Sequence, residues 1–226
     1  MRSSKALESP IFSHPDSQLL RQYIRRQRRE LSIHYRRQAG HAVVRHIRKQ
    51  STFMHATKIG LYIDAFGEIP TQSLIKLCLK LKKSIYFPVV IAKDQPLAWA
   101  QVKAKYTSRM TSHRFGMKQP SKQRGLSVMD LDVIFMPLVA YDDKGHRLGM
   151  GGGFYDRSLS RCMEKPFNNK RSHRQHFKKP YRVGMAYDFQ RVDLLETNPW
   201  DISLHAVVTP TQYQRFNTVA RDSFLH

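Results

Sequence analysis

Between Leu138 and Leu159 the chain reads LVAYDDKGHRLGMGGGFYDRSL, and this is where its residue types best fit chemistry. Gly149, Gly151, Gly152 and Gly153 remove the side chains that would keep an anion away from the backbone N–H groups. The segment runs from the end of an apolar strand-like run into a helical pattern. A helix start adds unpaired donors and the positive end of a dipole. Arg147 adds a planar fork of donors suited to phosphate oxygens. No Gly-Lys-Ser/Thr follows, so this is not a Walker loop. Phe154 stands where the last glycine of a dinucleotide fingerprint belongs, which excludes that motif too. A tight, flexible turn is the plain reading; four glycines in five residues beside Arg147 favour a phosphate loop.

Asp156 follows the loop, and a carboxylate beside a phosphate site would repel the ligand. A magnesium ion resolves this, since it takes hard oxygen ligands from carboxylate and phosphate together. Equally, Asp156 can simply complement the dipole of its helix's first turn. Asp201, in NPWDISLHAVVT, is a second candidate metal ligand, although its position suits an ordinary turn residue better.

The elements that must position these residues alternate in period. Residues 1–16 are polar with two prolines and read as a loose arm. Leu19, Leu20, Tyr23 and Ile24 form one stripe of a helix from Ser17; Val43, Val44 and Ile47 form a face of a second. Lys58–Ile63 reads as a buried strand with Gly67 in the turn after it, and Thr71 is placed to cap the next helix. Ser84–Ile91 is strand-like, Leu97 and Trp99 suit a short strand, and Asp132–Tyr141 is the clearest buried strand. A helix is expected over 154–162, a basic polar insertion over 164–182, and strands over Val183–Tyr187 and Leu204–Thr209. The alternation predicts an α/β fold: a single open, mainly parallel sheet flanked by helices on both faces. The domain is expected to span 17–211, with 212–226 as a weakly patterned tail.

Thirty-nine Lys and Arg against seventeen Asp and Glu give a net charge of +22, which implies attraction to polyanions and says nothing of fold. Cys78 and Cys162 cannot make a disulfide framework and lack zinc spacing. No apolar run approaches the ~20 residues of a membrane span, and the N-terminus has no apolar signal core. A cytoplasmic protein is the expectation.

The stretch PLVAYDDKGHRLGMGGGFYDRSL resembles the signature of 5-formyltetrahydrofolate cyclo-ligases (5,10-methenyltetrahydrofolate synthetases), the bacterial branch above all. Similar pieces occur in order: LLRQYIRRQRRELS, LYIDAFGEIPTQSLI, IYFPVV and VGMAYDFQRVDLLETNPWDISLHAVVTP. The resemblance implies an ATP- and Mg2+-dependent closure of 5-formyltetrahydrofolate, which can carry further glutamates, to 5,10-methenyltetrahydrofolate. ADP and phosphate are released by way of a phosphorylated formyl group. It implies ATP contacts from Arg21 and from Arg147, Leu148, Gly149, Met150, Gly151, Gly152, Gly153, Phe154 and Tyr155. Met150–Phe154, Ile63 and Glu68 are implied folate contacts, and Asp156 and Asp201 the magnesium-associated acids. Arg147 and Asp156 are the implied catalytic pair.

Three positions depart from the pattern: Ser17 replaces a lysine common four residues before Arg21, the basic insertion is additional, and Gln119 replaces a glutamate. The charge also supports another class, a basic α/β nucleic-acid-binding protein without catalysis. Arg21–Lys49 carries ten basic residues against one acid, but no recognised nucleic-acid motif.

Overall fold

The structure, a computed structural model, describes residues 16–102, 110–112, 118–120, 125–160 and 180–216. Three helices come first: α1 (Ser17–Glu30), α2 (Ile33–Ile47) and α3 (Ser51–His55). Then come β1 (Lys58–Gly60), α4 (Gln72–Lys80), β2 (Ser84–Val89) and β3 (Ala98–Val102). A small hairpin, β4 (Met110–Ser112) and β5 (Lys118–Pro120), precedes β6 (Val133–Pro137). A second hairpin pairs β7 (Ala140–Tyr141) with β8 (Arg147–Leu148) and leads to α5 (Phe154–Leu159). The chain ends in β9 (Tyr181–Met185), β10 (Ala206–Val208) and β11 (Tyr213–Arg215).

Seven strands form one sheet in the order β11-β10-β9-β6-β1-β2-β3. The five central strands are parallel, and β3 and β11 are antiparallel edges. Side chains alternate across it as a pleat requires. Val133 and Phe135 of β6 face a core made with α2, α3 and α4, through Val43, Ile47, Phe53, Leu74 and Cys78. Ile134 and Met136 face the opposite core, covered by Leu159 of α5 and by Val128, Leu131, Ile202 and Leu204 from turns and extended segments. On that second face a Cβ on Gly60 would stand 2.8 Å from Ile134, Leu131 and the Trp99 ring, so close packing demands glycine there. Among the described residues, no helix is long and apolar enough to cross a membrane.

Several boundaries differ from the sequence expectation. Asp132–Tyr141 is not one strand: β6 stops at Pro137, and the chain turns out of the sheet to build the β7–β8 hairpin. The apolar run continues because both parts are buried, so hydropathy alone hides the break. Leu19 is exposed; Arg28 instead extends the buried row of Leu20 and Ile24. The residues expected to be tail from 212 include β11, and Phe216 beyond it is buried in the second core. Tyr181 and Arg182, assigned to the basic insertion, open β9, where Arg182 donates to the Ser203 carbonyl at 2.8 Å. Residues 164–179 of the insertion, Cys162 and the arm before Asp16 lie outside the described residues.

Candidate active site

From β1 the chain runs to β2 on one side, and β6 lies on the other. The gap between β1 and β6 is therefore a topological switch point, where open parallel sheets bind ligands beyond the strand ends. Two segments flank it. One follows β1 and carries Ile63 and Glu68; the other follows β6 and carries the hairpin and glycine loop.

The hairpin turn is locked by Asp142, a wholly buried residue that the sequence reading passed over. One oxygen accepts the backbone N–H groups of Lys144 and His146, at 3.0 and 2.9 Å. The other lies 2.7 Å from His146 Nδ1 and accepts Leu195 N–H at 3.2 Å. Burial alone would push the Asp142 carboxyl up, but the hydrogen bonds from His146 and Leu195 outweigh it and hold it below the usual range. The spacing Asp-x-x-Gly-His was the signal for this lock.

Beyond β8 the loop opens to solvent: Gly149, Met150, Gly151 and Gly152 are all exposed. Arg21, half-buried on α1, reaches it and donates from Nε to the Gly149 carbonyl at 2.8 Å. Its guanidinium carbon lies 3.9 Å from where a Gly151 Cβ would stand. Below the loop Arg157 donates to the Gly152 and Lys93 carbonyls, both at 2.8 Å, and lies over the Phe154 ring. Arg157 is thus a brace that the resemblance did not supply. α5 has six described residues, too few for much macrodipole. The groups here that could receive an anion are the loop amides and Arg21. Gly151 has φ +90°, whereas Gly149 is free of that constraint and has open space around it. On the ATP contacts that the resemblance implies for this loop, Gly151→Ala is expected to raise the KM for ATP about tenfold or more, through backbone strain on the order of 1–3 kcal/mol; Gly149→Ala should leave it within about twofold. Steady-state kinetics at varied ATP reads the difference.

Arg147 points elsewhere than the loop tip. One terminal nitrogen donates to Asp156 Oδ1 at 2.6 Å and the other to the Ile202 carbonyl, and the side chain is nearly buried. Asp156 Oδ1 also accepts Ile202 N–H at 3.2 Å. The structure therefore joins Arg147, Asp156 and the turn ending in Asp201 into one cluster. Asp201 closes that turn through Oδ2, which accepts Asn198 N–H at 2.7 Å. Asp156 Oδ2 and Asp201 Oδ1 have no hydrogen-bond partner among the described residues.

On the facing segment, Phe66 and Gly67 both adopt left-handed backbone, with φ +52° and +77°. The turn brings Glu68 Oε2 to within 3.0 Å of Ala65 N–H. A Gly67 Cβ would stand 2.9 Å from the Arg28 carbonyl, so α1 packs directly beneath. Thr71 turns its hydroxyl to Asp64 at 2.9 Å rather than capping α4. Burial raises the Glu68 carboxyl to about 7, against the Ala65 hydrogen bond and the Arg28 guanidinium. Arg28 is itself fully buried; it donates to the Leu138 carbonyl, while its Nε has no hydrogen-bond partner among the described residues. Burial pushes its pKa down and the Glu68 charge pulls it back. Burial likewise raises Tyr155, and then the Glu68 carboxylate, with Arg147 opposing. Tyr155 thus lies between the two clusters, edge-on to Trp99. Ile63 packs half-buried on the first core beside this turn.

A mainly parallel α/β sheet with a glycine-rich loop and a half-buried carboxylate on the two segments that flank its switch point has the architecture of an α/β enzyme with a ligand site at the strand ends. Residues 13–210 match the 5-formyltetrahydrofolate cyclo-ligase family, and the chain belongs to it. The 5-formyltetrahydrofolate cyclo-ligase of Haemophilus influenzae is 34% identical over 195 residues, which cover 84% of this chain and 96% of that protein. That of Escherichia coli K12 is 32% identical over 194 residues, covering 84% and 97%. The NMR structure of 5,10-methenyltetrahydrofolate synthetase from Aquifex aeolicus superposes with a TM-score of 0.72 at 28% identity, covering 89% of this chain and 93% of that one.

Proposed function

We propose that this protein closes 5-formyltetrahydrofolate to 5,10-methenyltetrahydrofolate in the cytoplasm, driven by ATP. The observation that carries the reading is that the Arg21-braced glycine loop with its Arg147–Asp156 cluster and the turn bearing Glu68 lie on the two segments flanking one switch point. The chemistry needs all three. A formamide oxygen is a poor leaving group, and phosphorylation makes it a good one. The formyl oxygen attacks the γ-phosphorus of ATP and ADP departs. N10 then attacks the formyl carbon and loses its proton. The C–O bond breaks, and phosphate leaves with the original formyl oxygen. Such a sequence asks the protein for positioning and charge neutralisation rather than for a covalent partner.

In this reading the amides of Arg147–Tyr155 and the Arg21 guanidinium hold the triphosphate. Met150–Phe154 also touch the folate. Ile63 and Glu68 hold the pterin, whose N–H groups suit a carboxylate acceptor. Arg147 acts through Asp156, fixing the carboxylate with a two-pronged contact that includes the Ile202 carbonyl.

The residues suit magnesium carried in with the nucleotide. Among the described residues no cluster of three or more His, Cys, Asp or Glu could hold a metal alone. Asp156 and Asp201 each offer one unpartnered oxygen, the one or two carboxylates that Mg2+ commonly takes beside phosphates. When bound, the ion would neutralise charge on the triphosphate.

The test is to mix the protein with 5-formyltetrahydrofolate, ATP and Mg2+ and follow the absorbance of the methenyl product. Growth matched mole for mole by ADP is expected. No growth, with the protein folded, would overturn the reading in favour of a binding protein.

A further inference from the structure

A cleft of about 420 Å³ opens beside Glu68, within the range of small-molecule sites. It runs from the Asp64–Glu68 turn between the start of α2 and the start of α4. It adjoins the candidate site, because Glu68 lines both. Its walls are of mixed character. Phe66 and Ile33 present apolar surface that the core leaves uncovered, 43% and 61% exposed. Arg36, Arg37 and Lys76 bring three positive charges to the same lining, which His41 also joins. Two acids also line the cleft, and both are engaged: Asp64 Oδ1 accepts the Thr71 N–H and hydroxyl, and Glu68 Oε2 accepts Ala65 N–H. Arg36 Nε is buried, with no hydrogen-bond partner among the described residues. A buried donor without an acceptor is costly, and one on a residue that lines a cationic cleft suits an anion that the cleft receives.

We infer that this cleft is a carboxylate subsite holding the aminobenzoyl-glutamate end of the substrate, with the aryl ring on Phe66 and Ile33 and the carboxylates at Arg36, Arg37 and Lys76. The inference rests on the proposed reaction. 5-Formyltetrahydrofolate is a polar bicyclic ring, then an aryl ring, then a glutamate with two carboxylates. The cleft offers a carboxylate acceptor, apolar surface and cations in one lining. Arginine's fork matches a carboxylate bidentately, and the surrounding positive field draws the dianion in.

The experiment crosses two substrates with two proteins: 5-formyltetrahydrofolate or 5-formyl-6-(anilinomethyl)tetrahydropterin, which keeps N10 and the aryl ring but lacks the glutamate and its carboxylates, against the wild type or Arg36→Gln/Lys76→Gln. The full substrate's KM is expected to rise about tenfold in the double variant. Its kcat, the ATP KM and the truncated substrate's kinetics should stay within about twofold. Calorimetry with free p-aminobenzoyl-L-glutamate adds a readout that needs no turnover. Binding to the wild type, competitive with the full substrate and about tenfold weaker in the variant, is expected. Equal damage to both substrates would show a merely structural role and overturn the assignment. So would an unchanged KM for the full substrate, or fragment binding that does not compete with it. Absence of turnover in the wild type with fragment binding intact would refute the proposed reaction and leave the anion cleft standing.

Discussion

Asp156→Asn is expected to lower kcat by about two to three orders of magnitude, the loss typical when a group stabilising transition-state charge is removed. Asparagine keeps an oxygen for the Ile202 N–H and Arg147 contacts, so the unfolding midpoint and the KM for the folate should hardly move. Added Mg2+ should restore little, because the charge that would face it is gone. Arg147→Lys tests the same unit from the other side. A lysine keeps the charge but cannot serve Asp156 and the Ile202 carbonyl together, so kcat should again fall steeply. If the two act as one device, the double variant is no worse than the poorer single variant. Multiplying losses would make Arg147 an independent contact to phosphate, and normal kcat in Asp156→Asn would remove that residue from the site.

Glu68→Gln should weaken substrate binding yet stabilise the protein at high pH. The folded carboxyl stands at about 7 against 4.5 unperturbed, raised chiefly by burial. A raised folded value means that stability is lost as pH rises from the unfolded value through the folded one. Two and a half units correspond to roughly 3 kcal/mol, and partial exposure reduces this to on the order of 1–3 kcal/mol. Urea unfolding at pH 8.5 is therefore expected to show Glu68→Gln more stable than wild type, with the two converging near pH 4.5. The folate KM of the wild type should fall as pH rises through 7 and the carboxylate forms, and the variant should lose that dependence. Equal stabilities at both pH values, with the same KM profile, would mean that Glu68 is a solvated turn acid.

Local signals carried much of this. The glycine loop, Asp156, Glu68 and Gly67 sit in short stretches whose residue types admit few structures, and the sheet was legible because buried strands alternate with helical stripes. What stayed hidden depended on distant partners. Arg28 lies in an arginine-rich stretch that reads as a solvated face; only folding shows it beneath the Glu68 turn with the Leu138 carbonyl as its acceptor. Arg147 suits a phosphate grip by type, but it is turned to Asp156 and to the Ile202 carbonyl, the latter on a segment 55 residues away. The strand Tyr213–Arg215 is too short and polar to announce itself, because an edge strand is defined by what it pairs with. Part of the basic charge that suggested nucleic acid is likewise occupied internally: Arg21 holds the loop, Arg28 is buried and Arg182 ties β9 to the Ser203 carbonyl.

Ring closure through a phosphorylated formyl group fixes the fate of one oxygen atom. Substrate carrying 18O in the formyl group, turned over with ATP and Mg2+, should deliver the label to inorganic phosphate in step with the methenyl absorbance, one labelled phosphate per ring closed. Methenyl product accompanied by unlabelled phosphate, with the label in water, would contradict phosphoryl transfer to the formyl oxygen.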